Sequence, residues 1–126
     1  MESQNQEFKV TDPAKIGGSF TSYTVTGVDD QGQFSVMRRY KEFHAIWWKL
    51  FQKWIGIYIP KLPDKKLTNV TNADVVEERR FLLDKWFKEC AQLDYIRKSA
   101  EFKIFIARVG DVEKELKAMP EERPAQ

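Results

Sequence analysis

The chain has 126 residues, of which 42% are hydrophobic, 13% aromatic and 32% charged, and its formal net charge is +2. This content suits one domain with a packed core and excludes a disordered chain, while the small net charge argues against general nucleic-acid binding. The single cysteine, Cys90, excludes an internal disulfide. Because no apolar run approaches the roughly 18 residues of a membrane span, and the first ten residues lack the apolar core of a signal peptide, we expect a cytosolic domain.

The N-terminal third of the chain predicts β-strands. Residues 1–7 are polar and predict a flexible terminus, whereas residues 8–40 are rich in Thr, Val, Tyr and Phe, as is typical of strands. The polar sequence DDQG at 29–32 predicts the turn of a hairpin. Neighbouring side chains of a strand point to opposite faces. Arg38 and Arg39 should therefore point in opposite directions, and at most one of them can easily reach a shared ligand.

An amphipathic helix is predicted next. Its apolar residues recur at i, i+3, i+4, i+7, i+8 and i+11, which places them on one core-facing stripe. The residues on this core-facing side are Phe43, Ile46, Trp47, Leu50, Phe51 and Trp54. Trp48 lies off this side of the helix and should be partly exposed, and the helix should end near Gly56. His44 has no obvious nucleophile as a partner, so we expect it on the surface or on the flank of the helix.

A proline-rich segment follows the helix. Pro60 and Pro63 form a P-x-x-P sequence that favours an extended polyproline II rod. The apolar sequence KWIGIYIP at 53–60 should pack beneath this rod, with a membrane or protein contact as the alternative. P-x-x-P can also be a ligand for an SH3 domain, but the charge of Asp64 and the expected burial of the segment make that a minor possibility.

The C-terminal half predicts further helices. Thr71 and Asp74 resemble a capping box before a second helix over residues 73–91. The core face of that helix should carry Val76, Leu83, Trp86, Phe87 and Cys90. Another core helix is indicated by the i, i+3, i+4, i+7 spacing of Phe102, Phe105, Ile106 and Val109. Asp94 or Ser99 could cap short pieces between these helices. The globular domain should therefore cover residues 8–109, with 110–126 as a polar C-terminal helix or linker tail.

Catalytic motifs are missing from the sequence. It contains no H-E-x-x-H, no glycine-rich phosphate loop and no C-x-x-C. Glu77 and Glu78 are neighbours on a predicted helix and point about 100° apart, so they are not posed as an acid and base pair. We therefore expect a non-enzymatic domain without a metal site or cofactor.

Basic residues are unevenly distributed. Between Arg38 and Lys66 eight basic residues face two acidic ones, a local balance of +6. The basic residues of interest fall into three clusters, namely Arg38–Arg39–Lys41, Lys65–Lys66 and Arg79–Arg80. Three cations from separate elements could converge on one polyanionic headgroup, with the ring of Tyr40 against its sugar-like face. A phosphoinositide site is therefore one interpretation of the clusters, and a solvated charged surface is the other.

Three motifs resemble the phox homology (PX) domain family. They are RRYKEF at 38–43, IPKLPDK at 59–65 and EERRFLLDKWF at 77–87, and they occur in the family's order. The resemblance implies an α+β fold, in which a small three-stranded antiparallel sheet packs on a helical subdomain with a proline-rich polyproline II connection. It also implies a membrane-targeting module that binds a phosphoinositide, most often phosphatidylinositol 3-phosphate, on the cytosolic face of endosomes and recruits a larger trafficking or sorting protein.

The resemblance also implies roles for individual residues. Arg39 would grip the 3-phosphate, and Tyr40 would pack under the inositol ring. Lys65 would contact the phosphate that joins the headgroup to its lipid, and Arg79 would bond the ring hydroxyls. Arg38 would make a structural bond, in agreement with the strand alternation described above.

Further residues could strengthen membrane binding. Lys53, Lys61 and Lys66 could each add about 1 kcal/mol near an anionic surface, whereas Lys41 could either extend recognition toward a second phosphate or touch lipid. Leu67 and Val70 could dip into the bilayer and add about 1.5–3 kcal/mol each. The alternative function is a PX-like protein-interaction domain with weak or no lipid binding, but the presence of all four expected headgroup contacts argues against it. Nucleic acid is not an expected partner, because most aromatic residues occupy predicted core positions.

Overall fold

The computed structural model describes residues 8–16, 20–64 and 72–120. In this part of the chain three strands are followed by five helices, which confirms the predicted α+β fold. The elements are β1 (Lys9–Ile16), β2 (Phe20–Asp29), β3 (Gly32–Arg39), α1 (Tyr40–Lys53), α2 (Asn72–Gln92), α3 (Asp94–Arg97), α4 (Ala100–Phe105) and α5 (Val112–Ala118). The predicted capping box cannot be compared with the structure, because Thr71 and the side chain of Asp74 lie outside what it describes.

The strands form an antiparallel sheet in the order β1-β2-β3. Asp29 pairs with Gly32 across a tight turn, as the polar sequence predicted. The turn is stabilised by the carboxylate of Asp29, which accepts a hydrogen bond of 2.9 Å from the backbone N–H of Gln31. Gly32 has a φ of +109°, a backbone conformation that residues other than glycine rarely adopt. The predicted hairpin is confirmed.

Helix α2 covers the edge strand β1. The register of β1 shifts between Thr11 and Ala14, where Asp12 has a φ of 49°. Nearby, the backbone N–H of Val10 donates to Asp84 at 2.8 Å, and the guanidinium of Arg80 donates to the Val10 carbonyl at 3.1 Å. Two side chains of α2 therefore hold both backbone groups of one residue in the edge strand, which fixes the helix against the sheet.

The core lies between the inner face of the sheet and the helices, and aromatic rings fill much of it. The rings of Phe43 and Phe105 lie 5.0 Å apart, and those of Phe87 and Phe102 stack at 5.6 Å. At Gly27 an added Cβ would lie 2.6 Å from the ring of Phe8, so only glycine fits beneath that ring. The predicted core face of α2 is confirmed at its centre by the buried residues Leu83, Trp86, Phe87 and Cys90.

Arg38 is a structural residue at the centre of the fold. Its side chain is buried in the core, and its guanidinium donates three hydrogen bonds of 2.7 Å to the carbonyls of Met37, Phe105 and Ala107. Burial lowers the pKa of Arg38, while the negative charge of Glu42 opposes that shift. These bonds tie β3 to the end of α4. The predicted structural role of Arg38 is thus confirmed.

Two residues expected in the core are on the surface instead. Phe51 is 45% exposed, because the buried face of α1 is centred on Phe43, Ile46 and Leu50 and position 51 lies at its edge. Val109 is 84% exposed, because α4 ends at Phe105 and the chain leaves the helix before residue 109. Spacing alone predicted one continuous helix there, which was wrong.

The apolar segment after α1 does not pack beneath the proline-rich segment. Gly56, with a φ of +88°, lies in the turn that follows α1, and the side chains of Ile55, Ile57 and Tyr58 beside it are exposed. Trp54 before them is half-buried against the core, and burial resumes at Ile59 and Pro60. The expectation that the whole segment packs under the rod was therefore wrong.

Helix α5 lies within residues 110–126, for which a polar C-terminal helix or linker tail was expected. Asp111 accepts a hydrogen bond of 3.1 Å from the backbone N–H of Lys114 and so caps the helix. Val112 and Leu116 are buried in the core. The packed core thus extends beyond residue 109.

We predict that Arg38→Ala lowers the free energy of unfolding by about 3 kcal/mol, because it leaves buried carbonyls without their charged donor. Urea unfolding followed by circular dichroism measures the change. Lys103→Ala, which removes an exposed cation of α4, is the control and should change the stability by less than about 0.5 kcal/mol. Equal stability of the two variants would contradict a structural role for Arg38.

Candidate functional site

An open cleft of about 1030 Å³ lies where several elements meet. The start of β2, the junction of β3 with α1, the proline-rich segment, α2 and α5 all contribute to its walls. The cleft brings together three of the predicted headgroup residues, Arg39, Tyr40 and Arg79. Arg79 is distant in the sequence from the adjacent pair Arg39 and Tyr40, and the fold places all three on one surface.

Arg39 stands at the entrance to α1. Its backbone N–H donates to the carboxylate of Glu42 at 2.7 Å, which fixes the first turn of the helix. Its guanidinium carbon lies 3.5 Å from the centre of the Phe20 ring, within the range of a cation–π interaction. The Phe20 ring therefore holds the planar guanidinium against the wall of the cleft.

Tyr40 lies beside Arg39 and spans the cleft to the proline-rich segment. Its hydroxyl donates a hydrogen bond of 2.6 Å to the carbonyl of Pro63. Burial raises the pKa of Tyr40, and the positive charge of Arg79 opposes that shift. The guanidinium of Arg79 lies 5.1 Å from the centre of the Tyr40 ring. Tyr40 thus joins the proline-rich segment and α2 around one aromatic surface.

The two adjacent arginines of α2 have different surroundings. Arg80 donates to the carboxylate of Glu77 at 2.8 Å and to the carbonyl of Val10. Arg79 lines the cleft. There its charge opposes the effect of burial, which raises the pKa of the Tyr23 hydroxyl. Both arginines of the predicted basic cluster contact protein groups, and Arg79 is the one that lines the cleft.

The predicted lysines also differ in whether a carboxylate of the protein lies beside them. Lys61 is exposed and lines the cleft. Lys41 also lines it, but its ammonium lies 3.0 Å from the carboxylate of Glu113, which is also 3.0 Å from Lys117. Part of the positive charge expected from the sequence is therefore neutralised within the cleft. The other predicted contacts, Lys65, Lys66, Leu67 and Val70, lie outside the described residues.

Phe20 and Glu113 are cleft residues that the sequence did not identify. Phe20 reaches Arg39 because Ser22 pairs with Arg39 in the sheet, and this register depends on the packing of all three strands. Glu113 lies in a segment that was expected to be a polar helix or linker tail, to which no site role was assigned. His44 is exposed, as expected. No group of three or more His, Cys, Asp or Glu side chains that could hold a metal ion occurs in the described part of the chain.

Comparison with known proteins identifies the family. A family model of the PX domain matches residues 26–108. Sorting nexin 1 of Arabidopsis thaliana is 31% identical over 107 residues, which are 77% of this chain and 27% of that protein. Sorting nexin 2B of the same species is 29% identical over 119 residues, 87% of this chain and 21% of that protein.

Two further matches extend the comparison. A probable serine/threonine-protein kinase of Dictyostelium discoideum is 36% identical over 84 residues, 64% of this chain but only 4% of the kinase. The X-ray structure of a designed CISK-PX domain superposes with a TM-score of 0.71 at 22% identity and covers 80% of this chain and 98% of that one. The fold is thus that of a complete PX domain, while the chain spans a small part of its curated relatives.

The chain belongs to the PX domain family. It is therefore a phosphoinositide-binding, membrane-targeting module. Within residues 8–16, 20–64 and 72–120, no helix combines the length and apolar character needed to cross a bilayer.

We predict that Lys41→Ala raises the pKa of Glu113 toward its ordinary value of 4.5, because hydrogen bonds from Lys41 and Lys117 lower it in the native chain. The stabilisation from these pairs is present above pH 4.5 and is lost as the pH falls through the lower value of the folded state. An NMR titration of the glutamate carboxyl carbons measures both values. Identical Glu113 titrations in the native and Lys41→Ala chains would contradict the pairing.

Proposed function

We propose that the chain recognises phosphatidylinositol 3-phosphate on endosomal membranes and so recruits a larger trafficking or sorting protein. The observation that carries the proposal is the convergence of Arg39, Tyr40 and Arg79 on one open cleft. The sorting nexins among the relatives support a role in trafficking.

The chemistry of the cleft suits a phosphorylated inositol ring. The guanidinium of Arg39 presents a planar set of donors that matches phosphate oxygens in pairs, and its contact with Phe20 at 3.5 Å orders it before a ligand arrives. Tyr40 offers an aromatic face to the ring. Arg79, which lies 5.1 Å above that face, would bond the ring hydroxyls. Lys65 would complete the site at the phosphate that links the headgroup to its lipid.

The membrane itself must contribute to affinity. A hydrogen bond to a charged group contributes about 1.5–3 kcal/mol net, so two or three of them approach micromolar binding, about −8 kcal/mol, only with help from the lipid surface. Lys61 and Lys66 would provide part of that help at about 1 kcal/mol each. Lys41 would contribute less, since Glu113 lies 3.0 Å from its ammonium. Insertion of Leu67 and Val70 would add apolar contact.

We predict that Arg39→Ala weakens binding to vesicles containing phosphatidylinositol 3-phosphate at least about 30-fold, because it removes the donors to the 3-phosphate. Surface plasmon resonance on vesicles that carry one phosphoinositide at a time measures affinity and specificity together. Binding should be strongest to the 3-phosphate lipid. Equal binding of the native chain and Arg39→Ala to every anionic vesicle would instead mean a general charged surface, and no binding at all would favour a protein-interaction domain.

Arg79 and Arg80 provide a matched pair of substitutions on one helix. We predict that Arg79→Ala weakens binding to the same vesicles about 10-fold, whereas Arg80→Ala leaves it nearly unchanged, because Glu77 already holds the Arg80 guanidinium at 2.8 Å. Both changes remove the same charge, so a general electrostatic attraction would weaken both variants equally. That equality would contradict a specific role for Arg79.

A further inference from the structure

Beside the headgroup residues, α1 carries a row of aromatic rings on its outer face. The row, which we call the aromatic stripe, consists of Tyr40, His44, Trp47, Trp48 and Phe51. Successive rings lie 6.4 Å apart from Tyr40 to His44 and 5.6 Å apart from His44 to Trp47. Phe51 then stacks on Trp47 at 5.4 Å and on Trp48 at 5.9 Å. At 1.5 Å per residue the stripe extends about 16 Å along the helix axis, from Tyr40 to Phe51.

The far end of the stripe presents apolar surface to solvent. Trp48 and Phe51 are each 45% exposed. Two large aromatic side chains that stack on one another and remain open to water are unusual in a core-forming helix. The core face of α1 is formed by Phe43, Ile46 and Leu50, which are buried, and Tyr40 and Trp47 at its edge pack against that core. The exposed rings of Trp48 and Phe51 are therefore available for a partner.

The stripe and the headgroup site share one cleft. Trp47 and Trp48 line the same cleft as Arg39 and Arg79. The exposed cations Lys61 and Lys117 border it as well. A lipid headgroup held by the arginines would therefore bring the boundary between headgroups and acyl chains close to the indole rings.

We infer that Trp48 and Phe51 form a second membrane contact, which enters the interfacial region of the bilayer while the arginines hold the headgroup. Tryptophan favours that region because its ring is apolar and its N–H is polar. Neighbouring lysines would meet lipid phosphates at the same depth. This inference rests on the proposed function and deepens it. The arginines would provide the affinity for the headgroup, and the stripe would provide much of the affinity for the bilayer.

The test compares two phenylalanines that differ in location. Phe51→Ser and Trp48→Ser change the stripe, and Phe81→Ser changes an exposed phenylalanine of α2, which lies outside the stripe. Binding is measured to phosphatidylcholine vesicles with phosphatidylinositol 3-phosphate, and separately to soluble inositol 1,3-bisphosphate by calorimetry. We expect each stripe variant to bind vesicles about 10-fold more weakly. The soluble headgroup should bind the native chain and Phe51→Ser with one affinity, because Phe51 does not line the cleft, and Phe81→Ser should match the native chain in both measurements.

A second measurement probes the contact directly, in the native chain and in two tryptophan variants. Lipids with brominated acyl chains quench indole fluorescence at short range, and the quenching should fall in Trp48→Phe but persist in Trp54→Phe. Native-like vesicle binding by both stripe variants, with no quenching assigned to Trp48, would overturn the inference and leave the stripe to a protein partner. Failure of the proposed function has a different signature, since the native chain would then not bind inositol 1,3-bisphosphate.

Discussion

The arrangement of the cleft depends on the three hydrogen bonds that Arg38 donates to backbone carbonyls. Two of them fix the last residues of β3 against the end of α4 and the residues that follow it. Because successive residues of a strand face opposite ways, the inward position of Arg38 sends Arg39 outward to the cleft. Tyr40 then begins α1 at a fixed place. A buried arginine on the inner face of the sheet thus determines where the neighbouring arginine presents its charge.

The same separation of roles recurs across the surface around the cleft. On α2, Arg80 is held by Glu77 and Val10, while Arg79 lines the cleft. Basic clusters that look alike in the sequence therefore contain residues that lie away from the cleft, such as Arg38 and Arg80, and residues that line it, such as Arg39 and Arg79. A count of basic residues overstates the charge a ligand would meet, and specificity is better explained by geometry than by total charge.

Local patterns predicted most of the fold, because hairpin turns and amphipathic helices depend on neighbouring residues. The β2–β3 turn, the buried face of α2 and the inward position of Arg38 follow from such patterns. Errors arose where tertiary packing decides the outcome. The exposure of Phe51 reflects which face of α1 the sheet covers, and the contact between Phe20 and Arg39 reflects strand register. Glu113 enters the cleft only because α5 packs against α1.

The central claim is that one cleft binds one phosphorylated inositol ring through separate elements of the fold. An NMR titration of the native chain with soluble inositol 1,3-bisphosphate, which follows the arginine Nε–H signals, tests it most directly. The account predicts saturable shifts for Arg39 and Arg79 with a single dissociation constant, while Arg38 and Arg80 stay unchanged. Shifts of all four arginines to a similar extent, or no saturable shift at Arg39, would contradict it.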